Sequence, residues 1–295
     1  RQRQMCIRDS YTFDPIFFES FFLPQLRRIG IVNIVVLVDS SNYDRLLIDY
    51  PSYGLSDENG AARGTKLYSI VRQTPSSTGV FHPKISLFIG QNNGMLLIGS
   101  GNLTYNGFSL NEEIWGAFST YGENPKYLPI FHKAWSYIKS ISKSNSLLIN
   151  QQYKWIVENT SWLTTFNSDE DMEWVNTSEG DIKIIVNEQG RTILQQVDDI
   201  ISNDDISAID VVSPFIDGDG RIIESLRTLY KKATISCVFS RNGTYPLDYM
   251  KNSTADIYFY EWSDVFQVQR NFSSPLHAKI LQFRSDNRTV LVLSL

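Results

Sequence analysis

Two pairs of the type His-x-Lys are the residues of this sequence best suited to chemistry. His82 and Lys84 form one pair, His277 and Lys279 form the other, and the chain has only three histidines in all. Each pair opens an apolar stretch typical of a β-strand, where side chains two positions apart share a face. An imidazole can act as a nucleophile or as a general acid and base, and an ammonium group stabilises an anion. Each pair therefore predicts half of an active site.

A polar turn follows the first pair. Seventeen residues separate Lys84 from Asn102, which ends the sequence Gly-Ser-Gly-Asn. The segments KISLFIG and MLLIGS flank residues 91–94 and predict a β-hairpin that returns the chain to its starting edge. Taken alone, this pattern is also compatible with an ordinary hairpin with polar ends. The second His-x-Lys opens a similar hairpin, and this recurrence favours the functional interpretation.

Helices alternate with apolar strands along the whole chain. The run IVNIVVLVDS, residues 31–40, is typical of a strand covered on both faces and is closed by Asp39. The segment before it predicts a helix with Asp14 as N-cap, Pro15 in its first turn and Gly30 after its end. This alternation predicts an α/β protein built from two tandem α/β/α layered units with mixed sheets.

The two halves of the chain also resemble each other. The segment ESFFLPQLRRIGIVNIVVLVD matches ESLRTLYKKATISCVFS as a helix followed by a buried strand. In each half a further strand and then a His-x-Lys hairpin follow, which indicates a duplicated domain. We therefore expect a first domain over residues 11–167, a linker over residues 168–180 and a second domain over residues 181–295. A pseudo-twofold axis is expected to relate the two domains.

Both ends of the sequence depart from this pattern. Residues 1–10, RQRQMCIRDS, show neither helical nor strand periodicity and resemble a translated sequencing-adaptor remnant. We expect them to be a non-native leader outside the fold. The last residues, TVLVLSL, stop at Leu295 inside a predicted strand. We therefore expect a truncated second domain, with room for an additional C-terminal domain beyond it.

The composition is that of a globular protein rather than a membrane or disordered one. Hydrophobic residues make up 42% of the chain, but the most apolar early stretch contains Glu19 and Pro24 and is too short to cross a bilayer. Two cysteines, Cys6 and Cys237, exclude a zinc cluster or a disulfide framework and favour a reducing, cytoplasmic compartment. The net charge of −5 gives no overall basic footprint for nucleic acid, although a local basic groove is compatible with it.

The complete first motif resembles that of the phospholipase D superfamily. That motif is His-x-Lys, a spacer that often holds an aspartate, and Gly-Ser-x-Asn, and here it occurs as FHPK followed by GSGNLTYNGFSLNEE. Ile89 stands at the place of the aspartate, and the spacer is three residues longer than in the commonest form. In both departures the motif resembles that of the tyrosyl-DNA phosphodiesterases. Comparable modules also occur in little-characterised bacterial proteins.

This resemblance implies metal-independent cleavage of a phosphodiester through a phosphohistidine, with no cofactor. His82 is implied as the nucleophile and His277 as the general acid and base, while lysines and amides bind the phosphoryl oxygens. Glu113 would hold the second ring nitrogen of one histidine. The implied catalytic residues are His82, His277, Lys84, Lys279, Asn102 and Glu113, and the implied substrate contacts are Ser100, Gly101, Ser294 and Tyr105.

The expected substrate class also rests on the resemblance. The aspartate-free motif and the lack of a membrane-binding segment favour nucleic acid as the substrate. Two alternatives stay open: hydrolysis or headgroup transfer on a phospholipid, and a non-catalytic binding module of a larger protein. By the spacing of the first motif, the second asparagine would fall one or two positions after Leu295. His132 is expected to be an ordinary surface or half-buried histidine without a chemical role.

Overall fold

Helices and strands alternate throughout the part of the chain that the structure describes. This computed structural model describes residues 4–50, 63–64, 67–74, 79–121, 126–142, 147–165, 174–187, 190–202, 204–265 and 274–293. The elements in chain order are β1 (Gln4–Ser10), α1 (Pro15–Phe17), a π-helical turn (Phe18–Phe22), α2 (Leu23–Arg28), β2 (Ile31–Asp39), α3 (Ser40–Asp49), β3 (Arg63–Gly64), β4 (Ser69–Gln73), β5 (Ile85–Ile89), β6 (Asn93–Gly99), α4 (Tyr105–Ser109), β7 (Trp115–Tyr121), α5 (Leu128–Ile141), α6 (Leu147–Asn159), α7 (Ser161–Thr164), β8 (Val175–Thr177), β9 (Gly180–Ile182), α8 (Ile193–Ile201), β10 (Ala208–Val212), α9 (Arg221–Leu229), β11 (Thr234–Phe239), α10 (Leu247–Lys251), β12 (Ile257–Glu261), α11 (Trp262–Val265), β13 (Ile280–Arg284) and β14 (Thr289–Leu293). The predicted α/β class is confirmed.

The chain divides into two compact units. The first unit comprises Arg1–Ile98, Asn102–Tyr105 and Gly116–Val186, and the second comprises Gly99–Gly101, Asn106–Trp115 and Asn187–Leu295. Two short segments from the first half of the sequence thus belong to the second unit. The domains expected from the sequence, in contrast, are each one continuous range. Residues 168–173 of the expected linker lie outside the described residues, and the strands β8 and β9 pair as a hairpin just after them.

In the first unit the described strands form a seven-stranded sheet in the order β3-β4-β2-β1-β5-β6-β7. The strands β4, β2 and β1 are parallel, whereas β5 is antiparallel to β1 and β6 is antiparallel to β5. Residues 34–39 of β2 are all buried. Because β5 runs against β2, the carboxyl end of β2 at Asp39 lies at the same sheet edge as the amino end of β5 at Ile85. Sites of α/β proteins are commonly built at such an edge.

Strand β1 lies inside this sheet, so Gln4–Ser10 are part of the fold although their sequence predicts no regular element, and a non-native origin of residues 1–10 stays a prediction. The strand pairs with β2 on one side and β5 on the other, and six of its seven residues are buried. A strand covered on both faces shows no alternation, and such strands are normally apolar. The polar pair Arg8 and Asp9 therefore concealed it. Neither oxygen of the Asp9 carboxylate has a hydrogen-bond partner among the described residues.

The helix predicted before β2 begins where the sequence places it. Asp14 accepts a hydrogen bond from the backbone N–H of Phe17 at 3.0 Å, and Pro15 occupies the first turn. The helix then passes through a π-helical turn before Pro24. Proline has no N–H to donate and its ring collides with a carbonyl one turn earlier, and a wider turn relieves that collision. Gly30 follows the helix with a φ of 92°, a conformation that glycine adopts without strain.

In the second unit the described strands form a five-stranded sheet in the order β12-β11-β10-β13-β14. The strands β12, β11 and β10 are parallel, and β13 and β14 continue antiparallel. This order and these directions are the same as those of β4-β2-β1-β5-β6 in the first unit. The repeated pattern thus exists as strand topology, while a duplication with a pseudo-twofold axis stays a prediction. None of the described helices has the length and apolar character needed to pass through a membrane.

Candidate active site

The first motif places a buried lysine beside a histidine. Lys84 immediately precedes β5 and is only 2% exposed. Its Nζ donates to the carbonyl oxygen of His82 at 2.8 Å and lies 2.8 Å from Nδ1 of the same residue. The ring of Tyr11 packs against the His82 ring with centroids 4.8 Å apart. Burying an ammonium group is costly unless it has hydrogen-bond acceptors, and His82 provides them for Lys84.

The turn that carries Asn102 is tied to the end of β1. Ser10 Oγ accepts a hydrogen bond from the backbone N–H of Leu103 at 2.9 Å, and Asp14 N–H donates to the Leu103 carbonyl at 3.0 Å. The Asn102 side chain is partly exposed, and its Oδ1 makes a long contact of 3.5 Å with the N–H of Thr12. The first unit therefore contains His82, Lys84 and Asn102. The same short segment after β1 contacts both the histidine and the asparagine turn.

The glycines on either side of Ser100 permit close packing against Trp115. A Cβ atom at Gly99 would lie 2.4 Å from a carbon of the Trp115 ring, and one at Gly101 would lie 2.5 Å from another. Neither glycine has a positive φ. Their role is thus close approach to the indole, and a tight turn does not require them. Gly101 is itself buried beneath the ring.

Ser100 is fully buried, and its hydroxyl group is used within the protein. Its Oγ donates to Oε2 of Glu113 at 2.5 Å and accepts the backbone N–H of Ile114 at 3.0 Å. The Ser100 hydroxyl is thus engaged inside the protein, and the expected substrate contacts of Ser100 and Gly101 stay predictions. Ser100 instead orients a carboxylate.

Glu113 links the Gly-Ser-Gly segment to the second motif. Its Oε2 lies 2.9 Å from Nδ1 of His277, and its Oε1 accepts from the side-chain amide of Asn111 at 3.1 Å. Burial acts to raise the pKa of Glu113, but hydrogen bonds from His277, Ser100 and Asn111 outweigh it and hold the pKa below its usual range. An ionised carboxylate only accepts, so the His277 Nδ1–H donates to it. The Nε2 atom is then the ring nitrogen left for proton transfer.

Lys279 repeats in the second motif the position of the lysine in the first. Its Nζ donates to the carbonyl oxygen of His277 at 2.8 Å and lies 3.3 and 3.4 Å from the two ring nitrogens. Burial lowers the pKa of Lys279 to about 8, and the nearby Glu113 carboxylate opposes this shift. The ring of Phe215, which is 54% exposed, lies 5.8 Å from this Nζ and 6.2 Å from the His277 ring.

The backbone before the second motif is fixed by Glu112. The N–H groups of His277 and Ala278 both donate to the Glu112 carbonyl, at 3.0 and 2.9 Å, and the Glu112 N–H donates to the Pro275 carbonyl at 2.9 Å. The segment NEE, residues 111–113, was predicted to contribute only Glu113. It contacts the second motif through the main chain of Glu112 and the side chain of Glu113. Sequence reasoning missed Glu112, and it also missed Tyr11 and Phe215, because no local pattern marks such contacts.

The remaining predicted site residues lie in less informative places. Tyr105 begins α4 and is 54% exposed, and its ring meets that of Phe17 with centroids 6.0 Å apart. Ser294 lies outside the described residues. His132 is half-buried, as expected, and its Nε2 lies 2.9 Å from the carbonyl oxygen of Trp162. Within the described ranges, no three His, Cys, Asp or Glu side chains come together as a metal ion would require.

Comparison with known families identifies the part of the chain that carries the first motif. Residues 23–135 match the family model described as "Cardiolipin synthase, PLD-like domain". This part of the chain is similar to a phospholipase D-like domain. The matched range includes His82, Lys84, Asn102 and Glu113. The predicted kinship with the phospholipase D superfamily is confirmed.

The chain shares its fold with yeast tyrosyl-DNA phosphodiesterase. The structure of that protein aligns with a TM-score of 0.57 at 12% identity and covers 97% of this chain and 75% of the other. A point mutant of the same enzyme aligns with a TM-score of 0.58, again at 12% identity and with the same coverage. At this identity the likeness concerns the fold alone. No curated protein matches the sequence.

Proposed function

We propose that this protein is a metal-independent phosphodiesterase that works through a phosphohistidine. The observation that carries the proposal is the contact of 2.9 Å between Glu113 and Nδ1 of His277, with Nζ of Lys279 beside the same ring. A carboxylate on one nitrogen fixes the tautomer and leaves the other nitrogen to move a proton. The phospholipase D-like domain and the shared fold support a phosphodiesterase of this superfamily.

In the proposed reaction His82 attacks phosphorus, and a bond forms between the ring nitrogen and phosphorus while the bond to the leaving oxygen breaks. His277 gives its Nε2 proton to that oxygen. It then accepts a proton from water, the resulting hydroxide attacks the phosphohistidine, and the bond to His82 breaks. Lys84, Lys279 and Asn102 stabilise the negative charge on the phosphoryl oxygens. This division of roles between the two histidines follows the resemblance noted in the sequence.

Nucleic acid is the substrate class that we propose. The aspartate-free motif supports it, as does the name of the enzyme that shares the fold, which acts on a DNA phosphodiester. The exposed ring of Tyr105, three residues after Asn102, is suited to stack on a base. Phospholipid is the second candidate, because the matched family model is named after cardiolipin synthase. The buried, unpaired thiols of Cys6 and Cys237 fit the proposed reducing, cytoplasmic setting.

The proposal is tested with fluorescent single-stranded DNA in the presence of EDTA, with phosphatidylcholine vesicles in parallel. We expect the full-length protein to cleave the DNA, His82→Ala to abolish cleavage, and His132→Ala to retain it. The second variant is a matched control, since it removes a histidine that lies outside both motifs and whose Nε2 lies 2.9 Å from the carbonyl oxygen of Trp162. Cleavage of the lipid but not of the DNA would make phospholipid, instead of nucleic acid, the substrate class. Equal behaviour of wild type and His82→Ala on both substrates would favour a non-catalytic binding module.

A further inference from the structure

Asp39 is not part of the first motif, but its carboxylate binds the residue that precedes His82. We propose that Asp39 is a positioning residue for His82, because its buried carboxylate holds the backbone of the residue that precedes the histidine. The hold on the backbone follows from the geometry alone. Its consequence for attack on phosphorus rests on the proposed function.

Both oxygens of the Asp39 carboxylate are occupied by donors of known position. Oδ2 accepts the backbone N–H of Phe81 at 2.8 Å, while Oδ1 accepts the N–H of Ser41 at 3.0 Å and the Ser41 hydroxyl at 2.5 Å. The residue is 2% exposed. Burial acts to raise the pKa of Asp39, but these hydrogen bonds outweigh it and hold the pKa below its usual range. The carboxylate is therefore ionised at neutral pH and fixed in orientation.

The bond to Phe81 acts on a segment that has no regular structure of its own. Residues 79–84 connect to β5 without helix or ladder bonds, so their N–H groups must find other partners. Asp39 supplies the partner for Phe81, and Nζ of Lys84 binds the carbonyl oxygen of His82 at 2.8 Å. The His82 backbone is thus held on its amino side by a carboxylate and on its carboxyl side by the motif lysine.

The backbone of the second motif is held by main-chain bonds instead of a carboxylate. There the N–H groups of His277 and Ala278 bind a main-chain carbonyl, that of Glu112. The strand β11, which has the place of β2 in its own sheet, ends at Phe239 where β2 ends at Asp39. A side-chain substitution can therefore release the backbone before the first histidine, whereas the bonds at His277 and Ala278 are made to the main chain.

Asp39 also caps helix α3, so a merely structural role has to be separated from positioning. Thr192 provides the matched control, because it caps α8 through its hydroxyl in a reciprocal capping box with Gln195. Thr192→Ala removes a helix cap without touching either motif. Asp39→Asn keeps one acceptor oxygen, which can bind either the Phe81 N–H or the Ser41 donors, so it retains part of these bonds and is expected to fold.

The experiment measures the first turnover on bis(p-nitrophenyl) phosphate, with amide exchange at Phe81 as a second readout. The p-nitrophenolate ion leaves without a proton, so the burst reports attack by His82 independently of a general acid. We expect Asp39→Ala to slow the burst by about 10- to 100-fold with KM unchanged, the loss typical of a misplaced reacting group. Asp39→Asn should lie between Asp39→Ala and wild type, and Thr192→Ala should match wild type in burst rate while melting at a lower temperature. Exchange at the Phe81 amide should quicken in Asp39→Ala and stay at the wild-type rate in Thr192→Ala.

An Asp39→Ala protein with an unchanged burst, or with unchanged exchange at Phe81, would overturn the positioning role. So would a loss of rate in Thr192→Ala equal to that in Asp39→Ala, because stability would then explain both. A wild-type chain that cleaves no phosphodiester would instead overturn the proposed function. In that case exchange at Phe81 still decides whether Asp39 holds this backbone.

Discussion

The Oε2 atom of Glu113 lies 2.9 Å from Nδ1 of His277, a residue that follows it by 164 positions in the chain. The glutamate belongs to the sequence of the first motif, yet the histidine it holds belongs to the second. Ser100 and Asn111 bind the same carboxylate from its own segment. Three donors therefore converge on a group whose side chain is 4% exposed. The first motif sequence thus supplies the support for the second histidine.

The first prediction concerns this carboxylate. Glu113→Gln replaces one of the two acceptor oxygens by a donor, so either Ser100 and His277 together or Asn111 lose their acceptor, and the negative charge beside His277 is lost in both cases. We expect kcat on a DNA substrate to fall by about 10- to 100-fold with little change in KM, the range found when a partner that orients a histidine is lost. Steady-state kinetics check this. Glu158→Gln, at an exposed glutamate on α6, should leave both constants unchanged, and an equal loss there would contradict the assignment.

Much of this site could be predicted from the sequence because its signals are local. The two His-x-Lys pairs and the Gly-Ser-Gly-Asn turn mark residues that lie where strands begin and end. The histidine that Glu113 holds could not be predicted, since that contact is set by long-range packing. Asp39 gave only the signal of a strand end, and β1 gave none, because its polar pair lies where a covered strand is usually apolar.

The second prediction concerns the pH dependence of activity. Burial lowers the pKa of Lys279 to about 8, so its ammonium is charged below that pH and neutral above it. A neutral amine no longer attracts the phosphoryl oxygens, and kcat/KM should therefore fall as the pH rises through about 8. Lys279→Arg stays charged throughout this range and should lose this alkaline limb, even if its rate is lower. A limb that persists near pH 8 in Lys279→Arg would assign it to another group.

The third prediction concerns the packing of Gly101. A Cβ atom there would lie 2.5 Å from the Trp115 ring and 2.6 Å from the backbone oxygen of Gly107, which cannot move aside as a side chain can. We expect Gly101→Ala to lower the free energy of unfolding by about 1–3 kcal/mol through overpacking. Gly218→Ala is the matched control, because a Cβ atom at that position has nothing within 4 Å. Urea denaturation checks the pair, and equal stability of the two variants would contradict the packing argument.

The fourth prediction concerns the exposed ring of Tyr105. If it stacks on a base, Tyr105→Ala should raise the KM for single-stranded DNA by roughly tenfold, since one stacked base contributes about 1–3 kcal/mol. Tyr105→Phe keeps the ring and should retain the wild-type KM. Cleavage of bis(p-nitrophenyl) phosphate, which has no base, should be equal in all three proteins. Tyr121→Ala removes a ring that is 80% exposed on β7 and should have no effect. The same KM for Tyr105→Ala and Tyr121→Ala would remove Tyr105 from the substrate contacts.

The fifth prediction concerns the stability cost of Asp9 in β1. Burial raises the pKa of this carboxyl group well above its usual range, and Arg8 offsets only part of the shift. The folded protein then binds the proton more tightly than the unfolded chain, so stability is greatest below the ordinary carboxyl pKa and falls as the pH rises above about 4. Asp9→Asn cannot ionise and should remove this dependence, melting at a higher temperature than wild type at pH 7 but at a similar temperature near pH 4. Asp44→Asn serves as the control, since that carboxylate is exposed and paired with Arg72. Melting curves across this pH range check the difference, and parallel profiles for wild type and Asp9→Asn would show that the buried carboxylate is not the source.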